Sequence, residues 1–269
     1  MSHLEQFAVD CRRIREQSPI ILNITNYVAM GISANALLGV GASPLMSSEP
    51  EEMKELTTLA SAVAINLGCL ESTQIKAMDL AAETAAELGR PWVLDPVGFG
   101  ASRLRNCTAM RLAEQFHPSV IRGNASEIMA MAGAAVRPHG VDTADCSNAA
   151  AEYAVTLARR LGTVVSVSGP VDIITDGRDI VRIYNGDPMM PKVSALGCTA
   201  SAITAAFLAA DSNALDAAAG AMALMGIAGE QAAAASAGPG SLPANFIDAL
   251  HSISPDDEFN RIRYEQESA

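Results

Sequence analysis

Short apolar runs rich in Val and Ile alternate along the chain with longer segments in which apolar residues recur at helical spacing. A short run bounded by turn signals is typical of a buried strand, and a longer periodic segment predicts a helix. The alternation predicts an α/β fold, with a mostly parallel central sheet covered by helices on both faces. The predicted strands are residues 19–25, 43–46, 62–67, 91–97, 119–122 and 163–167, and the predicted helices are 28–38, 51–60, 72–88, 103–115, 125–132 and 144–161.

The pattern changes in the C-terminal part of the chain. Residues 171–175 and 180–184 flank Asp176-Gly177, which predicts a β-hairpin near residues 171–184 with a tight turn. Three more helices are predicted, at about 198–210, 214–236 and 242–252. Because no linker or repeat divides the sequence, we expect residues 1–269 to form a single domain.

Composition and charge narrow the classes of ligand. Of the 269 residues, 49% are hydrophobic but only 4% are aromatic, which favours close packing of helices on a sheet. The formal net charge of −12 argues against nucleic acid or an anionic membrane as a partner. A phosphorylated ligand would therefore need a local positive field, from helix ends, one or two arginines or a metal ion.

The cysteines and the N-terminal segment favour a reducing, cytoplasmic location. The odd number and wide spacing of the five cysteines argue against a disulfide framework or a zinc site. The charged N-terminal segment predicts that no signal peptide is present, and the longest apolar run, residues 217–229, is too short to cross a bilayer. The cysteines are Cys11, Cys69, Cys107, Cys146 and Cys198.

A turn of small residues, Val193-Ser194-Ala195-Leu196-Gly197-Cys198, opens directly into an apolar helix. The first N–H groups of a helix lack internal partners and form a positive end, where an anion can bind. Cys198 would lie at this end, where thiolate character is favoured, and could act as a base. The alternative is that Gly197 is an ordinary loop glycine and Cys198 a small buried hydrophobic residue.

Polar residues occur where most of the predicted strands end. In a parallel sheet of this kind, functional groups gather at the carboxyl ends of the strands. We therefore expect the side chains after successive strands to share one site. They include Asn26, Asn66, Asp95, Arg122, Glu127 and Ser168.

Each charged residue in this set also has a structural interpretation. Asp95 precedes a proline and could be a turn residue, and Asn124 with Glu127 has the spacing of a helix capping box. The functional interpretation is that Asp95 and Glu127 both reach a hydrated Mg²⁺. Arg122 could be a solvated charge or a planar clamp for phosphate. The four histidines are scattered, which argues against a Ser-His-Asp or Cys-His enzyme.

Taken together, these clusters resemble those of the hydroxyethylthiazole kinase family, within the ribokinase-like superfamily. The resemblance extends from about residue 20 to about residue 235. It rests on the order and spacing of several stretches: Asn35-Ala36-Leu37-Leu38, Gly41-Ala42-Ser43-Pro44-Leu45-Met46, Val93-Leu94-Asp95-Pro96-Val97-Gly98, Ile121-Arg122-Gly123-Asn124-Ala125-Ser126-Glu127 and Gly140-Val141-Asp142.

The resemblance implies a three-layer ribokinase-like sandwich and a kinase of thiamin salvage. The family phosphorylates the hydroxyethyl group of 4-methyl-5-(2-hydroxyethyl)thiazole with ATP and Mg²⁺, as a homotrimer with active sites between subunits. By motif position, the implied roles are substrate binding for Asn26, Met46 and Ala195, ATP binding for Arg122 and Ser168, metal binding for Asp95 and Glu127, and catalysis for Cys198 and Gly197. Cys198 stands where most ribokinase-like enzymes carry a catalytic Asp.

One departure from the family pattern lies in the turn before the apolar helix. The family's usual Thr-Gly-x-Gly-Cys reads Ser194-Ala195-Leu196-Gly197-Cys198 here. Alanine at position 195 loses backbone freedom if that residue needs a positive φ. Because Gly197 and the N–H groups beyond it are kept, we expect the anion hole to survive.

These features together predict in-line phosphoryl transfer, with the substrate hydroxyl against Cys198 and charge on the γ-phosphoryl group stabilised by the anion hole and Mg²⁺. One alternative is another ribokinase-like kinase that acts on a pyrimidine or pyridoxine alcohol. Residues 42–46 and the cysteine at position 198 argue against it. A second alternative is a catalytically silent nucleotide-binding protein, which would consume no ATP when a thiazole alcohol is added.

Overall fold

The computed structural model describes residues 6–134, 143–254 and 259–269. In these residues the strands form one sheet in the order β2-β1-β3-β4-β5-β6-β7-β8-β9. All pairings up to β5–β6 are parallel, and those from β6–β7 to β8–β9 are antiparallel. The strands are β1 Ile20–Ile24, β2 Ser43–Met46, β3 Ala62–Asn66, β4 Trp92–Asp95, β5 Val120–Asn124, β6 Val164–Ser168, β7 Asp172–Thr175, β8 Asp179–Ile183 and β9 Tyr264–Ser268.

The helices lie between these strands and after the hairpin. They are α1 Phe7–Gln17, α2 Met30–Val40, α3 Met53–Leu59, α4 Ser72–Leu88, α5 Arg103–Phe116, α6 Ala125–Met131, α7 Thr143–Leu161, α8 Leu196–Ala210, α9 Ala214–Ala235 and α10 Leu242–Ser252. Short 3₁₀ helices cover Pro50–Glu52, Met190–Lys192 and Phe259–Arg261. Within the described ranges, every helix is too short or too polar to cross a membrane.

Two apolar clusters lie on opposite faces of the sheet, because successive residues of a strand point to opposite sides. Val63 and Ile65 of β3 join the cluster beneath α3 to α7, whereas Ala62 and Ala64 join the cluster beneath α1, α2, α8, α9 and α10. A sheet buried on both faces explains why its strands read as nearly continuous apolar runs. The predicted α/β fold, a three-layer sandwich with a mostly parallel sheet, is confirmed.

Most predicted elements are present, with their ends shifted by a few residues. The hairpin is confirmed as β7 and β8, and Thr175 pairs with Ile180 across the turn. The predicted helix at 51–60 is divided into a 3₁₀ turn and α3. Two elements lie outside the predicted set, α1 and β9, and residues 140–142 of the family motif lie outside the described residues.

Candidate active site

The carboxyl ends of five adjacent strands, β1, β3, β4, β5 and β6, meet the start of α8 at one edge of the sheet. Asn66 and Asp95 end neighbouring strands and are paired in register. Asn124 and Ser168 end the next pair of strands and are also in register. The topology therefore brings together the polar residues that the sequence places far apart.

A chain of side-chain hydrogen bonds joins Cys198 to Asp95. Asn26 Nδ2 donates to Cys198 Sγ at 3.3 Å and to Asn66 Oδ1 at 2.9 Å. Asn66 Nδ2 in turn donates to Asp95 Oδ2 at 2.7 Å. The amide of Asn26 is oriented because its oxygen accepts from two backbone N–H groups, those of Val28 and Ala29. Asn66 thus bridges two predicted site residues, although its own role was not predicted.

Asp95 is a buried carboxyl group with one engaged and one unengaged oxygen. Its Oδ2 also accepts from Ser201 Oγ at 2.7 Å and lies 3.9 Å from Arg122 Nη1. Its Oδ1 is buried and makes no hydrogen bond within the described part of the chain. Burial raises the pKa of Asp95 to about 6, with Glu127 adding to the rise and the Arg122 guanidinium opposing it.

Arg122 lies inside β5, where it is only 6% exposed, so the interpretation of Arg122 as a solvated charge is wrong. Its Nη2 donates to Ser168 Oγ, which brings together the two predicted ATP-binding residues. A Cβ on Gly197 would stand 3.0 Å from Arg122 Nη1. Glycine at position 197 therefore lets the guanidinium approach the first turn of α8.

The first turn of α8 begins at a residue in the left-handed region. Ala195 has φ 71° and ψ −2°, and its carbonyl accepts from Thr199 N at 2.9 Å. The N–H groups of Leu196, Gly197 and Cys198 are the first three of the helix and are available to an anion. Ala195 therefore occupies a conformation that favours glycine, and the helix start forms nevertheless.

The surroundings of Cys198 oppose the thiolate character that a helix end favours. Burial raises the pKa of this thiol above its ordinary value, and the carboxyl of Asp95 acts in the same direction. The hydrogen bond from Asn26 opposes the rise but does not reverse it. Because the ordinary pKa of a thiol already lies above neutral pH and burial raises it further, the thiol is protonated at neutral pH.

Glu127 forms the capping box that its spacing predicts. Asn124 Oδ1 accepts from Glu127 N at 3.0 Å, and Glu127 Oε2 accepts from Asn124 N at 2.9 Å. The second carboxylate oxygen, Oε1, accepts from Gly98 N at 2.8 Å, in the loop after β4. The structural interpretation of Glu127 is confirmed, and its metal-binding role stays a prediction.

Few groups near the site could bind a metal ion directly. Within residues 6–134, 143–254 and 259–269, no three His, Cys, Asp or Glu residues are grouped as a metal cluster. Asp95 has one unengaged oxygen, and each oxygen of Glu127 has a remaining lone pair. This donor set fits a Mg²⁺ ion that keeps most of its ligands as waters and phosphate oxygens.

Two further residues complete the description of this edge. Met46 ends β2 and pairs in register with Asn23 of β1, one strand outward from the hydrogen-bonded chain. Asp172 was not predicted: its Oδ1 accepts from Gly169 N at 3.0 Å and holds the turn that follows Ser168. Burial raises the pKa of Asp172 to about 7.

Comparisons with known proteins show the family. Residues 11–256 match the model of the hydroxyethylthiazole kinase family. A hydroxyethylthiazole kinase from Brachyspira hyodysenteriae is 46% identical over 259 residues, which cover 96% of this chain and 98% of that protein.

Solved structures share the fold at two levels of similarity. The structure of a hydroxyethylthiazole kinase from Pyrococcus horikoshii has a TM-score of 0.90 and 36% identity, covering 97% of this chain and 98% of that one. A pyridoxal kinase from Staphylococcus aureus, with a TM-score of 0.60 and 14% identity, covers 79% of this chain and 88% of its own and shares the fold alone.

Proposed function

The chain belongs to the hydroxyethylthiazole kinase family, and from that premise we propose how its residues carry out the reaction. The protein is a kinase that transfers the γ-phosphoryl group of ATP to the hydroxyl of 4-methyl-5-(2-hydroxyethyl)thiazole, in thiamin salvage. One observation supports the residue assignments: a series of hydrogen bonds connects Cys198, in the first turn of α8, to Asp95, which lies beside Arg122.

The start of α8 and Arg122 together supply the positive field for the transferring phosphoryl group. The N–H groups of Leu196, Gly197 and Cys198 point out of the helix end, and Arg122 lies directly beneath Gly197. Arg122 Nε is buried without a hydrogen-bond partner among the described residues, so it has a donor to offer to an anion. Preorganised donors of this kind stabilise the charge on the γ-phosphoryl oxygens.

Cys198 orients the acceptor hydroxyl rather than removing its proton before the transfer. Its thiol is held by Asn26 and is protonated at neutral pH because burial raises its pKa. A loose transition state needs little help from a base, since the hydroxyl loses its proton late. The alcohol therefore binds against Cys198 and Asn26, and Met46 lines the thiazole side at the end of β2.

Asp95 and Glu127 would hold the Mg²⁺ ion, which would neutralise charge on the ATP phosphates. The unengaged Oδ1 of Asp95 faces no protein donor in the described residues, which is the feature expected of a carboxylate that awaits a hydrated cation. Ser168 and Arg122 bind the nucleotide phosphates from the neighbouring strands.

Exposed apolar side chains next to the site support an interface between subunits there, and we propose the homotrimer with shared active sites that the family resemblance implies. Tyr27 and Val28 directly follow Asn26 and are 59% and 69% exposed, and Leu38 of α2 is 59% exposed. A contiguous apolar patch on a surface is typical of an interface with a partner. Light scattering should report a trimer, and a stable, active monomer would refute the shared site. The predicted cytoplasmic location also stays part of the proposal.

The reaction is tested by incubating the protein with ATP, Mg²⁺ and the thiazole alcohol. We expect ADP release together with a phosphate ester of the alcohol, identified by mass spectrometry. A catalytically silent nucleotide-binding protein would give neither product. Omission of Mg²⁺ should abolish turnover, and turnover that persists in the presence of a chelator would contradict the metal assignment.

A further inference from the structure

Arg105 connects the loops that follow two neighbouring strands of the site. It lies in the first turn of α5, where its backbone N–H donates to Ser102 Oγ. Its guanidinium donates to three backbone carbonyls: those of Leu67, Gly68 at 3.1 Å and Val97 at 2.7 Å. Leu67 and Gly68 follow β3, and Val97 follows β4. One half-buried side chain therefore fixes the relative positions of both loops.

The first loop leads to Cys198. Gly68 N donates to Asn66 Oδ1 at 2.9 Å, and the same oxygen accepts from Asn26 Nδ2, the donor to Cys198 Sγ. The position of the Gly68 peptide therefore helps to set the orientation of the Asn66 amide. Arg105 binds the carbonyls of Leu67 and Gly68, which lie on either side of the Gly68 N–H group. It therefore acts on Cys198 through the side chains of Asn66 and Asn26.

The second loop leads to Glu127. Val97 is followed by Gly98, whose N–H donates to Glu127 Oε1 at 2.8 Å. Gly98 has φ 73°, and a Cβ there would stand 3.1 Å from Arg105 Cδ, so glycine lets the loop close over the arginine side chain. Arg105 thus reaches Glu127 through the Val97–Gly98 backbone without contacting Glu127 itself.

We propose that Arg105 is a positioning residue for phosphoryl transfer, which sets the geometry of Cys198 and Glu127 by clamping the loops at 67–68 and 97–98. This inference rests on the proposed function of those two residues. The planar fork of a guanidinium can bind several carbonyls at fixed angles, which a lysine ammonium cannot do. Misplacing a catalytic group by about 1 Å costs on the order of 10²-fold in rate.

The test compares Arg105→Ala and Arg105→Lys with Arg111→Ala. Arg111 is a matched control because it lies in the same helix and forms an ion pair with Asp79 of α4, away from both loops. We expect Arg105→Ala to lower kcat about 10- to 100-fold, with the KM for ATP changed about twofold at most. Arg105→Lys should fall between the wild type and Arg105→Ala, and Arg111→Ala should keep the wild-type kcat.

A second readout does not depend on activity. The tryptic peptide 193–261 contains Cys198 as its only cysteine, so its alkylation by iodoacetamide can be followed by mass spectrometry. We expect severalfold faster alkylation of Cys198 in Arg105→Ala than in the wild type, and an unchanged rate in Arg111→Ala. If Arg105→Ala does not fold, kcat and the alkylation rate of Cys198 in Arg105→Lys decide the role of Arg105.

The outcomes separate the inference from the function on which it rests. Wild-type values of kcat and of the alkylation rate in the Arg105 variants would overturn the positioning role. A kcat loss matched by an equal loss in Arg111→Ala would also overturn it, because the effect would then be one of general stability. If the wild-type protein fails to phosphorylate the thiazole alcohol, the proposed function fails, and the alkylation rates still decide the role of Arg105.

Discussion

Replacing Ala195 by glycine should stabilise the protein, although the substitution removes a side chain. Ala195 has φ 71°, and a non-glycine residue in the left-handed region costs about 1–2 kcal/mol. Glycine offsets about 0.4–1 kcal/mol of this gain in stability, because it increases the conformational entropy of the unfolded chain. The expected net gain in the free energy of unfolding is about 0.5–1 kcal/mol, or about 1–3 °C in Tm for a chain of this length.

Two control substitutions separate backbone strain from effects on the site. Ser18 has φ 45° and caps α1, so Ser18→Gly should stabilise the protein without changing its kinetics. Ala209 lies in the last turn of α8, where Ala209→Gly should destabilise the protein by about 0.5–1 kcal/mol. Calorimetry and denaturant titration on Ala195→Gly, Ser18→Gly and Ala209→Gly show whether each substitution raises or lowers the free energy of unfolding.

Kinetics show whether the alanine distorts the anion hole. Because the helix already begins correctly at Leu196, the kcat of Ala195→Gly should stay within about twofold of the wild type, about 0.4 kcal/mol in activation free energy. A lower Tm for Ala195→Gly alongside a higher Tm for Ser18→Gly would refute the argument from strain. A much larger rise in kcat would mean that Ala195 distorts the donors at the start of α8.

Three further predictions concern charged or titrating groups. Cys198→Asp should retain or raise kcat, because a carboxylate can orient the hydroxyl and also accept its proton late in the transfer. Cys198→Ala should lower kcat by about 10²-fold or less, and an insoluble Cys198→Asp would favour a purely structural cysteine. Asn124→Ala removes the helix cap and should lower the free energy of unfolding by about 0.5–2 kcal/mol while turnover is kept. Glu127→Gln should lower turnover and weaken the dependence of turnover on Mg²⁺. Unchanged turnover in Glu127→Gln would exclude the metal role. Burial and the nearby Asp211 raise the pKa of Asp10 from 3.8 to about 7. The contribution of Asp10 to stability is therefore full below pH 3.8 and is lost as the pH rises through about 7. Asp10→Asn should make Tm fall less steeply over that pH range, and an equally steep fall would contradict the assignment.

The sequence predicts the layered fold well because strands buried on both faces leave an unambiguous apolar signal. The two elements that were not predicted, α1 and β9, differ in whether the sequence carries an apolar signal for them. Phe7, Cys11 and Ile14 of α1 are buried at helical spacing, so a signal was present among the charged residues of that segment. Strand β9 has mostly exposed polar residues and, among the described strands, pairs with β8 alone, so no apolar periodicity marks it. The single-domain organisation stays a prediction.

The composition of the site was predictable, but its connections were not. Polar residues after successive strands predict that Asn26, Asp95 and Arg122 meet at one edge of the sheet, and they do. The bridging role of Asn66 and the clamping role of Arg105 depend on distances that only the folded chain fixes. For Cys198, local spacing reveals the helix end that favours a thiolate but not the burial that opposes a charge.

The central claim is that this site phosphorylates the thiazole alcohol in preference to related alcohols. The most direct test measures kcat/KM for 4-methyl-5-(2-hydroxyethyl)thiazole, a hydroxymethylpyrimidine and pyridoxine, each with ATP and Mg²⁺ at the same enzyme concentration. We predict the highest kcat/KM for the thiazole alcohol, with formation of its phosphate ester. A kcat/KM for the pyrimidine or pyridoxine alcohol far above that for the thiazole alcohol would contradict the account.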